Sequence, residues 1–198
     1  MSEQVHADDL KPDATEGFKV GEKKTLDEYH ELDKDDEAMV KWKKSLLTAG
    51  GKDLSDPTDP RTCIIQSLAL EVEGRPDITI TFHSKEDLEA LKNKPFVIKE
   101  GAQYRMKVTF KVQHGILSGL KYIQVVKRGP LRQKDQEMIG SYSPNTEKKP
   151  FYEKAFQPEE APSGMLVRGK YNAASSFVDD DNVTHLTFNW TFEIKKEW

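Results

Sequence analysis

The chain has 198 residues, a formal net charge of −4 and a pI near 5.8, room for one self-sufficient domain of about 140 residues plus a tail and too little for two full domains. Its charge is uneven, net −7 over residues 1–60 and +3 over 61–198, and this acidic balance argues against a dedicated nucleic-acid binder, which needs a basic face. The single cysteine, Cys63, cannot close an internal disulfide and the polar start MSEQVHADDL lacks signal-peptide character, both of which fit the cytosol.

Residues 1–24 offer only Phe18 and Val20 as neighbouring bulky apolar groups, too few to offset ordering entropy, so a disordered tail is expected there. Residues 25–60 read as a flexible arm with a short helical pair and a linker. Thr25 and Glu28 form a capping-box signature, and Leu26, Tyr29 and Leu32 recur at helical spacing. The run Asp33 to Glu37 then places carboxylates at the start of a second helix, and Lys41, Lys43 and Lys44 fall near its end, matching the helix dipole at both poles. Met39, Trp42 and Leu46 form a stripe with Val40 and Leu47 beside it, an apolar face that needs a partner surface, on this chain or another. Thr48 to Arg61, with Gly50-Gly51 and two Asp-Pro steps, is the linker.

From 61 to 198 the period becomes two. Ile64, Leu68, Leu70 and Val72 are read on one strand face, and Ile78, Ile80 and Phe82 on the next, with turn residues Glu73 to Asp77 between them. Leu88 to Leu91 fits a helical turn or a loop. The clearest alternation runs from Gln103 to Val112, with Tyr104, Met106, Val108, Phe110 and Val112 inward. A short segment with Ile116 and Leu117 precedes a strand over Leu120 to Lys127, ended by Gly129-Pro130. Arg128 to Pro158 has little period and reads as short edge strands and loops. Met165 to Phe177 and Val183 to Trp198 return to strand character, with Leu186, Phe188, Trp190, Phe192 and Ile194 on one face. Seven or more strands with almost no helix predict an all-β, immunoglobulin-like β-sandwich.

The chain contains neither GxxxxGK[ST] nor GxGxxG, so the common nucleotide-binding motifs are absent. Its five histidines lack metal-ligand spacing, and no GxSxG elbow accompanies them. No enzyme, cofactor or metal site is expected. Glu159-Glu160 and Asp179-Asp180-Asp181 read either as solvated loop charges or as a patch for a basic tail.

Six stretches carry a resemblance: HELDKDDEAMVKWKKSLL (30–47), FVIKEGAQYRM (96–106), SGLKYIQ (118–124), EEAPSGM (159–165), FVDDDNVTHL (177–186) and IKKEW (194–198). Together, from about Phe18 to Trp198, the chain resembles the Rho GDP-dissociation inhibitors. That resemblance implies a sandwich holding the geranylgeranyl group of a prenylated Rho, Rac or Cdc42-type GTPase, mainly GDP-bound, between its sheets, with an arm that folds onto the switch regions. It implies a monomer that forms a 1:1 heterodimer, blocks GDP release and extracts its partner from membranes without inserting itself and without nucleic acid. It puts the prenyl pocket at Leu70, Phe96, Tyr104, Ile116 and Trp190, with Leu46 and Leu47 as candidates for its mouth. Switch contacts fall on Phe18, Thr25, Leu32, Asp33, Asp36, Ala38 and Met39, with Asp36 foremost, and basic-tail contacts on Glu159, Glu160, Asp179, Asp180 and Asp181. The chain departs from the family where Ala38 replaces a frequent serine and Phe188-Asn189-Trp190 replaces Trp-x-Trp. Two alternatives stand beside this reading: a general prenyl-protein shuttle that ignores the GTPase body, and an adhesion-type sandwich, which would be expected to carry a secretion signal and more cysteines.

Overall fold

The structure is a computed structural model that describes residues 7–13, 52–82, 84–93 and 95–198. The helical pair expected over 25–47 lies outside the described residues, and with it Phe18, Thr25, Leu32, Asp33, Asp36, Ala38, Met39, Leu46 and Leu47.

In chain order the domain consists of strands β1 (Cys63–Val72) and β2 (Ile78–Thr81), helix α1 (Lys85–Asn93), and strands β3 (Phe96–Lys99), β4 (Gln103–Val112), β5 (Leu117–Arg128), β6 (Leu131–Tyr142), β7 (Tyr152–Ala155), β8 (Glu159–Glu160), β9 (Gly169–Val178) and β10 (Thr184–Lys195). Two sheets pack as an immunoglobulin-like sandwich. The first has the order β2-β1-β4-β7 with β8 also on β4, and the second the order β3-β10-β9-β5-β6. All pairings are antiparallel except β3 with β10, where Phe96 lies level with Phe192. The core between the sheets includes Leu68, Met106, Val108, Phe110, Leu120, Tyr122, Phe177, Phe188 and Trp190.

The alternations over Tyr104 to Val112 and Leu186 to Ile194 appear as expected, because each strand has one face on this core. Strand β1 departs from the expected phase. Its register shifts between Ile65 and Ser67, and the extra residue puts Cys63 and Ile65 on the buried side before the shift and Leu68 and Val72 after it, leaving Ile64 half-buried.

Helix α1 is a full nine residues, set by a reciprocal cap: Asp87 N donates to Ser84 Oγ and Ser84 N donates to Asp87 Oδ2, both at 3.1 Å. The stretch read as loops and short strands after Arg128 contains the twelve-residue β6. It sits at the edge of its sheet with most positions exposed, so no apolar period marks it. Met165 does not belong to a strand; it lies in an exposed turn, and β9 starts at Gly169. Within the tail expected to be disordered, residues 7–10 form a 3-10 turn whose Leu10 is buried.

Candidate functional site

The two sheets meet in an apolar seam toward the β2 and β3 edges. Inward positions of β1, β2, β4 and β10 bring Leu68, Leu70, Ile78, Ile80, Met106 and Trp190 around Phe96, enclosing only about 20 Å³. Phe96 meets the Trp190 indole edge-on at 5.9 Å between ring centroids. The parallel pairing of β3 with β10 makes this contact, since it sets Phe96 beside Phe192, two residues from Trp190. Three residues expected in one pocket, Leu70, Phe96 and Trp190, therefore do come together.

Outside the seam, the edges of β2 and β3, which pair with no further strand among the described residues, flank a groove of about 430 Å³ roofed by α1 and lined by Arg75, Ile78, Ile80, Leu91, Phe96 and Val97 among others. It shares Ile78, Ile80 and Phe96 with the seam, so groove and seam are continuous. The Arg75 guanidinium lies 3.9 Å from the Trp198 ring centroid at this margin.

A buried hydrogen-bond chain crosses the floor of the seam. Trp190 Nε1 donates to Ser175 Oγ at 3.0 Å, Ser175 Oγ lies 2.8 Å from Tyr122 Oη, and Tyr122 Oη donates to Gln124 Oε1 at 2.7 Å. With Tyr122 committed to Gln124, the Ser175 hydroxyl is the donor toward Tyr122. Burial pushes the Tyr122 phenol well above its ordinary range, and its hydrogen bond with Ser175 offsets part of that rise. Sequence reasoning missed Gln124 and Ser175. The available signals were a glutamine on the inward face of an apolar strand and Ser175-Ser176 inside the apolar run of β9.

Tyr104 lies one pleat step beyond Met106 on the inner face of β4, while Ile116 stands apart from Leu70, Phe96 and Trp190. Tyr104 Oη donates to Glu159 at 2.8 Å, and burial first, then the Glu159 charge, raises its phenol. It marks the β4–β8 flank of the sandwich. Ile116 is half-buried and precedes Leu117. Trp190 is level with Ala173 and hence with Val126, and nine residues of β5 separate Val126 from Leu117, about 30 Å at 3.3 Å per residue. Ile116 therefore lies toward the other end of the sandwich.

The acidic residues divide as well. Glu159 and Glu160 are exposed on β8, where Glu160 accepts from Gln103 Nε2 at 2.9 Å. Asp179 is only 3% exposed; it accepts from Val183 N at 2.8 Å and lies 2.9 Å from His185 Nε2. Asp180 receives Lys121 Nζ at 2.7 Å and is half-buried, as is Asp181. Asp179 and Asp180 are thus engaged within the domain, which departs from an exposed patch of five carboxylates. Burial, with the Asp179 charge second, pushes the Cys63 thiol up to about 12, leaving it protonated and unsuited to nucleophilic chemistry. Among the described residues no cluster of histidine, cysteine and carboxylates could hold a metal, and no helix is long and apolar enough to cross a membrane.

The family model for RHO protein GDP dissociation inhibitor matches residues 3–197. The chain is 44% identical over 183 residues to a Rho GDP-dissociation inhibitor of Saccharomyces cerevisiae, covering 91% of each chain. It is 41% identical to the Schizosaccharomyces pombe inhibitor, covering 100% of this chain and 97% of that one, and 38% identical to the Homo sapiens Rho GDP-dissociation inhibitor 1, covering 98% and 93%. A sandwich of this shape, matched over almost all of its length, belongs to the Rho GDP-dissociation inhibitor family.

Proposed function

We propose that this chain blocks GDP release from Rho-family GTPases in the cytosol, acting as a binding protein and not as an enzyme, in a 1:1 complex that also hides the partner's geranylgeranyl tail between the two sheets. The observation that carries the tail reading is the aromatic seam of Leu70, Phe96 and Trp190 running into the groove between the β2 and β3 edges. At about 20 Å³ the seam is closed, far below the roughly 300–1,000 Å³ of an occupied ligand pocket. Entry of a prenyl chain therefore requires the sheets to part, and the β2–β3 side is where they do so. Twenty carbons leaving water at about 0.8 kcal/mol each give up to roughly 16 kcal/mol of transfer energy, enough to compete with a bilayer.

In this reading Phe18, Thr25, Leu32, Asp33, Asp36, Ala38 and Met39 of the arm meet the GTPase switch surface, and Leu46 and Leu47 border the mouth of the pocket. Glu159 and Glu160 receive the basic run that precedes the prenylated cysteine, with Asp181 a further candidate, while Asp179 and Asp180 hold the β9–β10 turn in place. A general prenyl shuttle needs no arm of this kind, and the family match extends through the arm, which favours the GTPase regulator. The test is co-sedimentation with liposomes carrying geranylgeranylated, GDP-loaded Rho-type GTPase. The chain moves the GTPase into the supernatant, and Phe96→Glu abolishes that transfer while still slowing GDP release from unprenylated GTPase. Unchanged membrane-bound GTPase at saturating wild-type protein overturns the proposal.

A further inference from the structure

Strand β5 is apolar on both faces, which a sandwich alone does not explain. Leu120 and Tyr122 point into the core, but Ile123 and Val125 point away from it, and both are 0% exposed. With Ala174 and Val178 of β9 they form a separate outer cluster whose one further buried member is Leu10. A half-exposed antiparallel sheet alternates apolar and polar residues, so an apolar outer face requires a cover. Among the described residues that cover is the segment 7–13.

Charge fixes this segment as well as burial. Asp9 lies 2.6 Å from Arg132 Nη2 and 3.6 Å from Lys127 Nζ, and Asp13 accepts from Lys134 Nζ at 2.5 Å. Lys134 Nζ also donates to the Lys11 carbonyl at 2.9 Å, and Asp13 N donates to Gln136 Oε1 at 2.9 Å. Lys127, Arg132 and Lys134 thus form a basic rail on β5 and β6 beside an apolar floor on β5 and β9. The segment ADDLKPD matches that surface feature by feature, with a leucine for the floor and an aspartate on each side of it for the rail.

We propose that the outer face of the second sheet is a peptide-docking site for acidic, leucine-bearing segments, and that its resident occupant is residues 7–13 of the same chain. Docking there ties Asp13 to this sheet, and Asp53 bridges to Thr146 at the start of the domain. The inference concerns the chain without any partner and does not rest on the GTPase reading.

The experiment places a nitroxide on Gln4→Cys; Cys63, 2% exposed, stays unlabelled. Selective broadening of amides in 123–127, 132–136 and 174–178 is expected. It is lost in the Leu10→Ser, Asp9→Asn chain and weakens as salt rises, because exposed ion pairs are screened. The peptide VHADDLKPD, added to that double variant without the label, shifts the same amides, and its serine-for-leucine version shifts none. Uniform or absent broadening in the wild-type background overturns the proposal, as does broadening that survives Leu10→Ser. Transfer of the broadening to an unlabelled-nitroxide, isotopically marked second chain in a mixed sample overturns the same-chain assignment.

Discussion

Removing one hydroxyl at Ser175 tests the polar chain inside the seam. Ser175→Ala leaves Trp190 Nε1, which donates to that oxygen, without an acceptor, and deprives Tyr122 Oη of its donor. Trp190 is 7% exposed and Ser175 0%, so water does not reach the stranded groups freely. One buried unsatisfied donor costs about 1–3 kcal/mol and a lost neutral hydrogen bond about 1, which puts the loss near 2–3 kcal/mol. For a chain of this length that is a drop of roughly 4–12 °C in Tm. Tyr122→Phe removes the two bonds made by the phenol, to Ser175 and to Gln124, and costs about 1–3 kcal/mol. Because the two residues share a bond, the double variant is less destabilised than the sum of the singles. Urea melts of the four proteins, followed by far-UV circular dichroism, measure all three quantities. A Ser175→Ala loss below about 0.5 kcal/mol, or strict additivity with Tyr122→Phe, refutes the chain as described.

Other outcomes follow from features elsewhere in the domain. Glu100 accepts from Arg168 and from Gly164 N, and these contacts, led by the Arg168 hydrogen bond, hold its carboxyl down at about 2. A depressed carboxylate stabilises the fold above its unfolded pKa and loses that effect as pH falls toward the folded one; denaturation midpoints of wild type and Arg168→Gln therefore differ at pH 7 and converge between about pH 4.5 and 2, and a constant difference contradicts the pairing. Gly119 has φ +56°, and a Cβ there would fall 1.8 Å from Asp180 Oδ2. Gly119→Ala lowers stability by about 1–3 kcal/mol in thermal melts, and Asp180→Ala in the same chain returns part of it. The Cys63 thiol, held protonated by burial, does not react with a maleimide at pH 8 until denaturant is added, and prompt labelling of the native chain would show the site to be open.

How much of this was legible in the residues depended on whether a strand has one wet face. Tyr104 to Val112 and Leu186 to Ile194 do, and their period of two places them correctly. Strand β6 lies at a sheet edge with Ile139 its one buried residue, so it carries no period, and the β1 register shift moves Ile64 off the face that simple counting assigns to it. Leu88 to Leu91 by themselves admit a helical turn or a loop, and the signal that separates the two is the cap formed by Ser84 and Asp87, three residues apart. At the site, Leu70, Phe96 and Trp190 come from a resemblance, and in the structure the three line one seam. Tyr104 follows from the alternation of β4 and lies one pleat step beyond Met106, whereas Ile116 precedes β5 toward the other end of the sandwich, a position that no periodicity in the sequence reports. Asp179 and Asp180 look like solvated charges in sequence, and only the fold supplies His185 and Lys121 as their partners.

The parallel pairing of β3 with β10 has a consequence for the order of assembly. Phe96 is level with Phe192, 96 residues further along the chain, and β10 lies between β3 and β9 in its sheet. During synthesis β3 must wait, unpaired, while more than half of the domain is made. Closure of so long a loop is entropically costly, and non-local β pairing of this kind slows folding. Until β10 arrives, β3 and β9 both present free hydrogen-bonding edges, the type of surface that other chains can pair with. Nascent chains halted before Phe192 should therefore be retained by chaperones or aggregate, whereas chains extended past Lys195 fold.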